Sequence, residues 1–322
     1  MSSYLALLNS VLPVLGVIAS GYAIRRWNWL TEEADASLMR VVTHLLAPCL
    51  IVDTILGNPA MGRLGNVLAA PVLGFVTTAL GIAVAWWLRR GLGPAADAPQ
   101  QRTFALASGL FNYGYIPLPL AQTLFTQATV GVLFVQNIGV ELAMWLIGLA
   151  VLSGRPWQEG WRQLANPPVF AILGALALNF VVARESIPFA VMQGAHLLGQ
   201  CAIPLGLILI GAVIADLLPA LREHRGWRVV ALACAVRLGV LPGVILALAW
   251  LLPVTEEVKQ VLLLHAAMPA AVFPIVMARH YGGDAGTALR VVLGTSLASV
   301  VTMPIWLKLG MHLLGLHART AL

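Results

Sequence analysis

The sequence predicts an all-α integral membrane protein: ten transmembrane helices, arranged as two inverted five-helix repeats in which helices 4 and 9 are broken. Three observations predict it. Of 322 residues, 60% are hydrophobic and only 10% charged, with a mean hydropathy of +0.88. A soluble domain carries about 25% charged residues, so this chain cannot cover itself with a water-facing surface. Ten apolar segments of about the length needed to cross the hydrocarbon follow one another with short polar connections. Finally, the two halves echo each other at offsets of 152 to 157 residues.

The segments run over residues 4–24, 36–57, 65–88, 103–125, 129–152, 166–183, 187–215, 227–252, 257–280 and 287–311. The first has no basic residue before its apolar run and is longer than a signal-peptide core, so it reads as a spanning helix rather than a cleaved signal. The second carries His44 and Asp53. In the third, Gly74 and Gly81 permit close helix packing. The fifth contains Gln136, Asn137 and Glu141, the seventh His196 and the eighth Arg237. The longest connections, 89–102, 153–165 and 216–226, are too short for a soluble domain. Residues 153–165 read as a cytoplasmic linker between a first repeat (1–152) and a second (166–322).

Orientation follows from Lys and Arg, which favour the cytoplasmic side. With the N-terminus outside, thirteen arginines fall on inner connections and five basic residues on outer ones. Both termini are therefore expected on the periplasmic side of a cell inner membrane. The net charge of +6 is spread in ones, twos and threes with no basic run, which argues against a nucleic-acid partner. Trp27, Trp29, Trp86, Trp87, Trp157, Trp161, Trp227 and Trp250 cluster near span ends, as interfacial anchors do. Cys49, Cys201 and Cys234 lie in apolar segments, show neither a disulfide nor a zinc pattern, and read as buried, inert thiols.

The repeat rests on four matches in the same order: HLLAPC with HLLGQC, Pro13-Val14 with Pro168-Val169, Pro117 with Pro274, and Ala121 with Ala278. Five spans are an odd number, so the second copy enters the membrane inverted, as in many secondary transporters. The fourth segment contains FNYGYIPLPL (Phe111 to Leu120), and the ninth contains Pro269 and Pro274. Proline removes a backbone donor, and lipid offers the freed carbonyls no partner. Such breaks persist where they line an enclosed polar site, and paired breaks at matching positions mark a binding site. Half-helix N-termini there would attract a carboxylate. Asn112 adds amide donors, Gly114 lets backbone approach a ligand, and Tyr115 offers a hydroxyl or a ring wall.

Ionisable residues inside a membrane are costly and mark function. Glu141 and Arg237 are expected to form an ion pair, with Glu141 as a proton or cation site the other reading. Gln136 and Asn137, one turn earlier, could face the break. The repeat-related His44 and His196 read as packing histidines or as coupling groups. His265, four residues before Pro269, is the histidine expected nearest the substrate. Asp53 reads as a capping or coupling residue, while Asp216, Asp284 and Arg279 are expected in solvent.

These segments resemble the auxin efflux carrier family of membrane transporters. FNYGYIPLPL is similar to its Asn-x-Gly-aromatic segment. NPPVFAILGAL (Asn166 to Leu176) and CAIPLGLILIGA (Cys201 to Ala212) resemble its sixth and seventh spans. MPAAVFPIVMARHYGGDA (Met268 to Ala285) resembles its ninth-span crossover, and TSLASVVTMPIW (Thr295 to Trp306) its tenth span. The resemblance implies a fold akin to bile-acid and arsenite transporters. Spans 1, 2, 6 and 7 would form a scaffold, often dimeric, and spans 3–5 with 8–10 a moving transport domain. It implies transport of small organic anions, auxin in plants and malonate or malate in bacteria, with Asn112, Pro117, Pro119, Pro269 and Pro274 at the crossover. Two positions depart. Pro117 stands where glycine is common, and Phe273 stands where many members have asparagine, which favours a smaller or more apolar anion.

The function expected is thus a secondary carrier for a mono- or dicarboxylate, working by alternating access, with a proton or sodium ion as candidate coupling partner. A cation/proton antiporter using Glu141 is the alternative. No enzymatic activity, cofactor or metal is expected: the chain contains no GxxxxGK[ST], HExxH or GxSxG.

Overall fold

In a computed structural model of the protein, residues 4–154, 165–181, 186–219 and 226–318 are described. Arg155, Trp157, Trp161, Arg162, Arg184, Arg222, Arg225, Arg319 and most of the expected linker lie outside them. The described residues form twelve helices and no strand. In chain order these are α1 (Tyr4–Arg26), α2 (Glu32–Ile55), α3 (Leu64–Leu92), α4 (Ala98–Gly109), α5 (Pro117–Leu124), α6 (Gln127–Ser153), α7 (Pro167–Val181), α8 (Phe189–Asp216), α9 (Trp227–Leu251), α10 (Glu256–Ala267), α11 (Phe273–His280) and α12 (Ala285–Leu314).

Six of them, α2, α3, α6, α8, α9 and α12, are long and apolar enough to cross a membrane. The other four expected segments take different forms. The first is the 23-residue α1 and the sixth is α7, of 15 residues. The fourth and ninth are each split into two short helices, α4 with α5 and α10 with α11, so neither is a single span.

The helices pack in two groups. α1 lies along the C-terminal half of α8, and the C-terminal half of α2 packs on α7 and on the N-terminal half of α8. In the other group α3 packs on α4 and α6, α9 on α10 and α12, and α12 on α4 and α10. Small residues set how closely the helices approach. A Cβ at Gly21 or Gly211 would collide with backbone of the opposing helix at the α1–α8 crossing, as would one at Gly74 or Gly139 between α3 and α6. Gly81 meets the backbone of Gly109 in the same way, in keeping with the packing role expected of Gly74 and Gly81.

Side chains at the rims account for several other residues. Trp27, Trp29, Trp87, Trp227 and Trp250 are all more than 60% exposed, as anchors at a lipid–water boundary must be. Arg25, by contrast, is buried: it ion-pairs with Asp35 of α2 and, at 3.3 Å, with Asp216 of α8, tying three helix ends together. Asp216 is therefore paired rather than simply solvated. Asp284 caps α12 by accepting the Thr287 N–H. Of the three thiols, Cys201 is exposed and the other two are partly buried, so none is the fully buried group the sequence suggests.

Candidate functional site

The two broken segments meet. α4 ends at Gly109 and α5 begins at Pro117; α10 ends at Ala267 and α11 begins at Phe273. Between the halves the chain leaves the helix, and the two non-helical stretches pair in a single antiparallel bridge, Phe111 with Ala270. Asn112 N–H donates to the Pro269 carbonyl at 2.8 Å, and Ala271 N–H donates to the Leu110 carbonyl at 3.0 Å. Ala270 N–H donates to Thr295 Oγ1 of α12 at 3.2 Å. Two of the backbone bonds lost at the breaks are thus made between them, and side chains of other helices take up further groups, as a buried chain demands. Around the bridge each half-helix packs on the opposite segment, α10 on α5 and α11 on α4.

The prolines take on a different role once the helices are seen. Pro117 and Pro274 sit in the first turns of α5 and α11, where a missing N–H costs nothing and a fixed φ favours the helix. Pro119 follows in the same turn of α5. Only Pro269 lies in extended backbone, with its carbonyl bonded to Asn112. Neither half-helix start is capped by a side chain; in their first turns Leu118 N–H donates to the Gly114 carbonyl at 3.1 Å and Ile275 N–H to the Val272 carbonyl at 3.0 Å, while the prolines have no N–H to offer.

Side chains from α6 line the break. Asn137 Nδ2 donates to the Tyr113 carbonyl at 2.8 Å, and the Asn112 side-chain oxygen accepts from Gly114 N–H at 3.3 Å. Glu141 accepts from the Tyr113 hydroxyl at 2.7 Å and from Trp145 Nε1 at 3.0 Å. The expected Glu141–Arg237 ion pair is not formed. Arg237 instead donates through Nη2 to the carbonyls of His265 (3.2 Å) and Ala266 (3.3 Å), at the C-terminal end of α10. Its guanidinium lies 5.5 Å from the Phe111 ring centroid. Arg237 lies in a π-helical turn of α9, Ala235–Val240, and a second such turn, Met144–Gly148, follows Glu141 in α6.

His265 is fully buried beneath the break, its ring 4.5 Å from that of Phe111 and its Nδ1 3.1 Å from the Gln136 amide nitrogen. Several buried polar atoms here have no hydrogen-bond partner among the described residues: Gln136 Oε1, Asn137 Oδ1, His265 Nε2, and Arg237 Nε and Nη1. Native proteins keep few such atoms, and clusters of them mark sites. Phe273, 37% exposed, meets Trp145 edge-on at 5.5 Å. Tyr115 reaches out of the break to the other packing group, its ring against Gly206 of α8 and its hydroxyl 3.9 Å from the Met39 sulfur.

The remaining candidates lie elsewhere. His196 pairs with Asp53 at 2.8 Å and with Gln200 at 2.7 Å, joining α8 to α2. His44, at the position the sequence echoes, bonds among the described residues to neighbours in its own helix, Thr43 and the Arg40 carbonyl. These three residues are not brought to the break. Tyr113, Trp145, Phe111 and Thr295 are the additions that sequence reading overlooks. Tyr113 adjoins Asn112 and Trp145 stands one turn after Glu141, so spacing alone could have flagged both.

The chain matches the membrane transport protein family over residues 6–160 and 157–307. It is 26% identical to an uncharacterized transporter of Methanothermobacter thermautotrophicus over 303 residues, covering 92% of this chain and 96% of that protein. It is 23% identical to an uncharacterized transporter of Methanocaldococcus jannaschii over 304 residues, 93% and 97% of the two chains. The chain belongs to the membrane transport protein family, that of the auxin efflux carriers, and is a membrane transporter.

Proposed function

We propose that the protein is a secondary carrier for a small organic anion, a mono- or dicarboxylate of the malonate or malate type, bound where the broken segments cross. The observation that carries this reading is the bridged pair of breaks, with Asn112 bonded to Pro269 across it and two uncapped half-helix starts beside it. Uncapped starts carry roughly half a positive charge each, which suits a carboxylate without committing a lysine to it. Asn112, Gly114, Tyr115, Pro117, Pro119, Asn137, His265, Pro269, Phe273 and Pro274 are proposed as the substrate surroundings.

On this reading the chain makes ten membrane passages as two inverted repeats, 1–152 and 166–322, joined by a cytoplasmic linker. Both termini lie on the periplasmic side of an inner membrane. The packing groups support a division of labour: α1, α2, α7 and α8 as scaffold and proposed dimer surface, the rest as the transport domain that carries the crossover. Alternating access then consists of the second group moving against the first.

Current from the purified protein on a solid-supported membrane tests the proposal, with malonate, malate, lactate and indole-3-acetate applied under pH and sodium gradients. One anion should give a current that Asn112→Ala abolishes, and the gradient that alters it identifies the coupling ion. A second reading, a cation/proton antiporter, draws on Glu141, a carboxylate with two neutral donors and no cationic partner among the described residues. Currents on pH jumps alone, lost in Glu141→Gln, would favour it.

A further inference from the structure

Arg237 is the largest fully buried side chain among the described residues, at 0% exposure, and no carboxylate there lies within ion-pairing distance of it. Burying an unpaired cation is among the most costly choices a fold can make. Capping the His265 and Ala266 carbonyls explains only part of it. Two carbonyls need a donor, which a neutral amide supplies, and the partial negative charge at the end of α10 offsets about half a unit. Nε and Nη1 donate to nothing among the described residues. What a guanidinium provides that an amide does not is a permanent charge acting at a distance.

That charge sits directly behind the break. Phe111, the bridging residue, lies between the guanidinium and the chain leading to Asn112, and its ring is apolar and poorly screening. His265, also in contact with Arg237, is held by Gln136 and the Phe111 ring. The opposing charge, Glu141, stands behind Tyr113 with each oxygen already accepting from a neutral donor.

We infer that Arg237 is the residue that makes the crossover prefer anions over neutral molecules of the same shape, by holding a positive potential at the break without touching the ligand. The inference rests on the reading that the substrate is an anion held at the crossover. Between unit charges on the order of 10 Å apart, an effective dielectric of about 20 leaves an interaction that changes affinity by ~10- to 30-fold.

The test measures binding of the four acids, and of the primary amide of each, to the full-length purified protein by competition. Wild type should bind one acid at least about tenfold more tightly than its amide. Arg237→Gln keeps a donor for the two carbonyls and loses the charge; it should weaken the acid about tenfold and leave the amide unchanged, whereas Arg237→Lys should retain the preference. Gln136→Glu places a carboxylate across His265 with Arg237 still in its cap, and should give the same loss even if Arg237→Gln fails to fold. If Gln136→Glu and any folded Arg237→Gln protein keep the wild-type ratio of acid to amide while Asn112→Ala abolishes acid binding, the role given to Arg237 is wrong and the anion site stands. Wild type that binds amides as well as acids, or binds neither, sinks both.

Discussion

Glu141 illustrates how much a single residue's surroundings decide. In the sequence it is a carboxylate in an apolar segment, and a basic partner such as Arg237 is the natural guess. In the structure its oxygens take a phenol hydroxyl and an indole N–H, neutral donors that leave the carboxylate's charge uncancelled. Hydrogen bonds to a charged group contribute about 1.5–3 kcal/mol, so Tyr113→Phe should destabilise the protein by that order. In the double variant with Glu141→Gln the loss should be smaller than the sum of the singles, by about 0.5–3 kcal/mol, because both changes break one contact. Thermal unfolding in detergent of the four proteins checks this; strictly additive losses would refute the pairing. Residue identities at the break were legible because Asn, Gly and Pro have no other reason to sit in an apolar run. Pairings were not, since they depend on helix rotation, and the π-helical turns at Met144–Gly148 and Ala235–Val240 displace it without leaving a mark in hydrophobic periodicity.

At the scale of the element, the broken helices change the meaning of their prolines. A reader of FNYGYIPLPL sees residues that stop a helix; Pro117 and Pro119 in fact begin one, and the stop belongs to the non-helical residues 110–113 and the turn at 114–116. Stability of this arrangement rests on backbone pairing between the two breaks and on one outside acceptor, Thr295, whose hydroxyl receives the Ala270 N–H and itself donates to the Val291 carbonyl at 2.8 Å. Thr295→Val keeps the volume and strands a buried backbone donor, at a cost of about 1–3 kcal/mol, whereas Thr295→Ser keeps the acceptor and should cost less. Chemical denaturation of both variants decides the point: equal losses would mean that packing of the methyl group, not the hydrogen bond, matters at this position. Nothing in the spacing of the tenth segment pointed to Thr295, because its partner lies 25 residues away across the crossover.

For the whole molecule, the composition alone was enough to read a helical membrane protein, and the order of apolar segments was enough to place the twelve main helices among the described residues, six of them long and apolar enough to span. The grouping of the helices was legible only through the family resemblance, because no composition or periodicity carries contacts between distant segments. The packing draws a boundary between α1, α2, α7, α8 and the remainder, and Tyr115 crosses it, its ring filling the notch at Gly206. If the remainder moves as one body against the first group, a covalent bridge across that boundary should stop transport, and one within the second group should not. Arg63 and Glu257, an ion pair at 3.1 Å between the start of α3 and α10, supply the internal control. In a background with Cys49, Cys201 and Cys234 replaced by serine, Tyr115→Cys with Gly206→Cys joins the two groups through a short bifunctional thiol reagent. Arg63→Cys with Glu257→Cys joins two helices of the same group. Uptake into proteoliposomes should fall to background for the first pair on crosslinking, return on cleaving the reagent, and stay near its uncrosslinked level for the second. Transport surviving the first bridge would mean that the Tyr115 contact does not open during the cycle, and the motion would then have to be sought within the crossover rather than between the two groups.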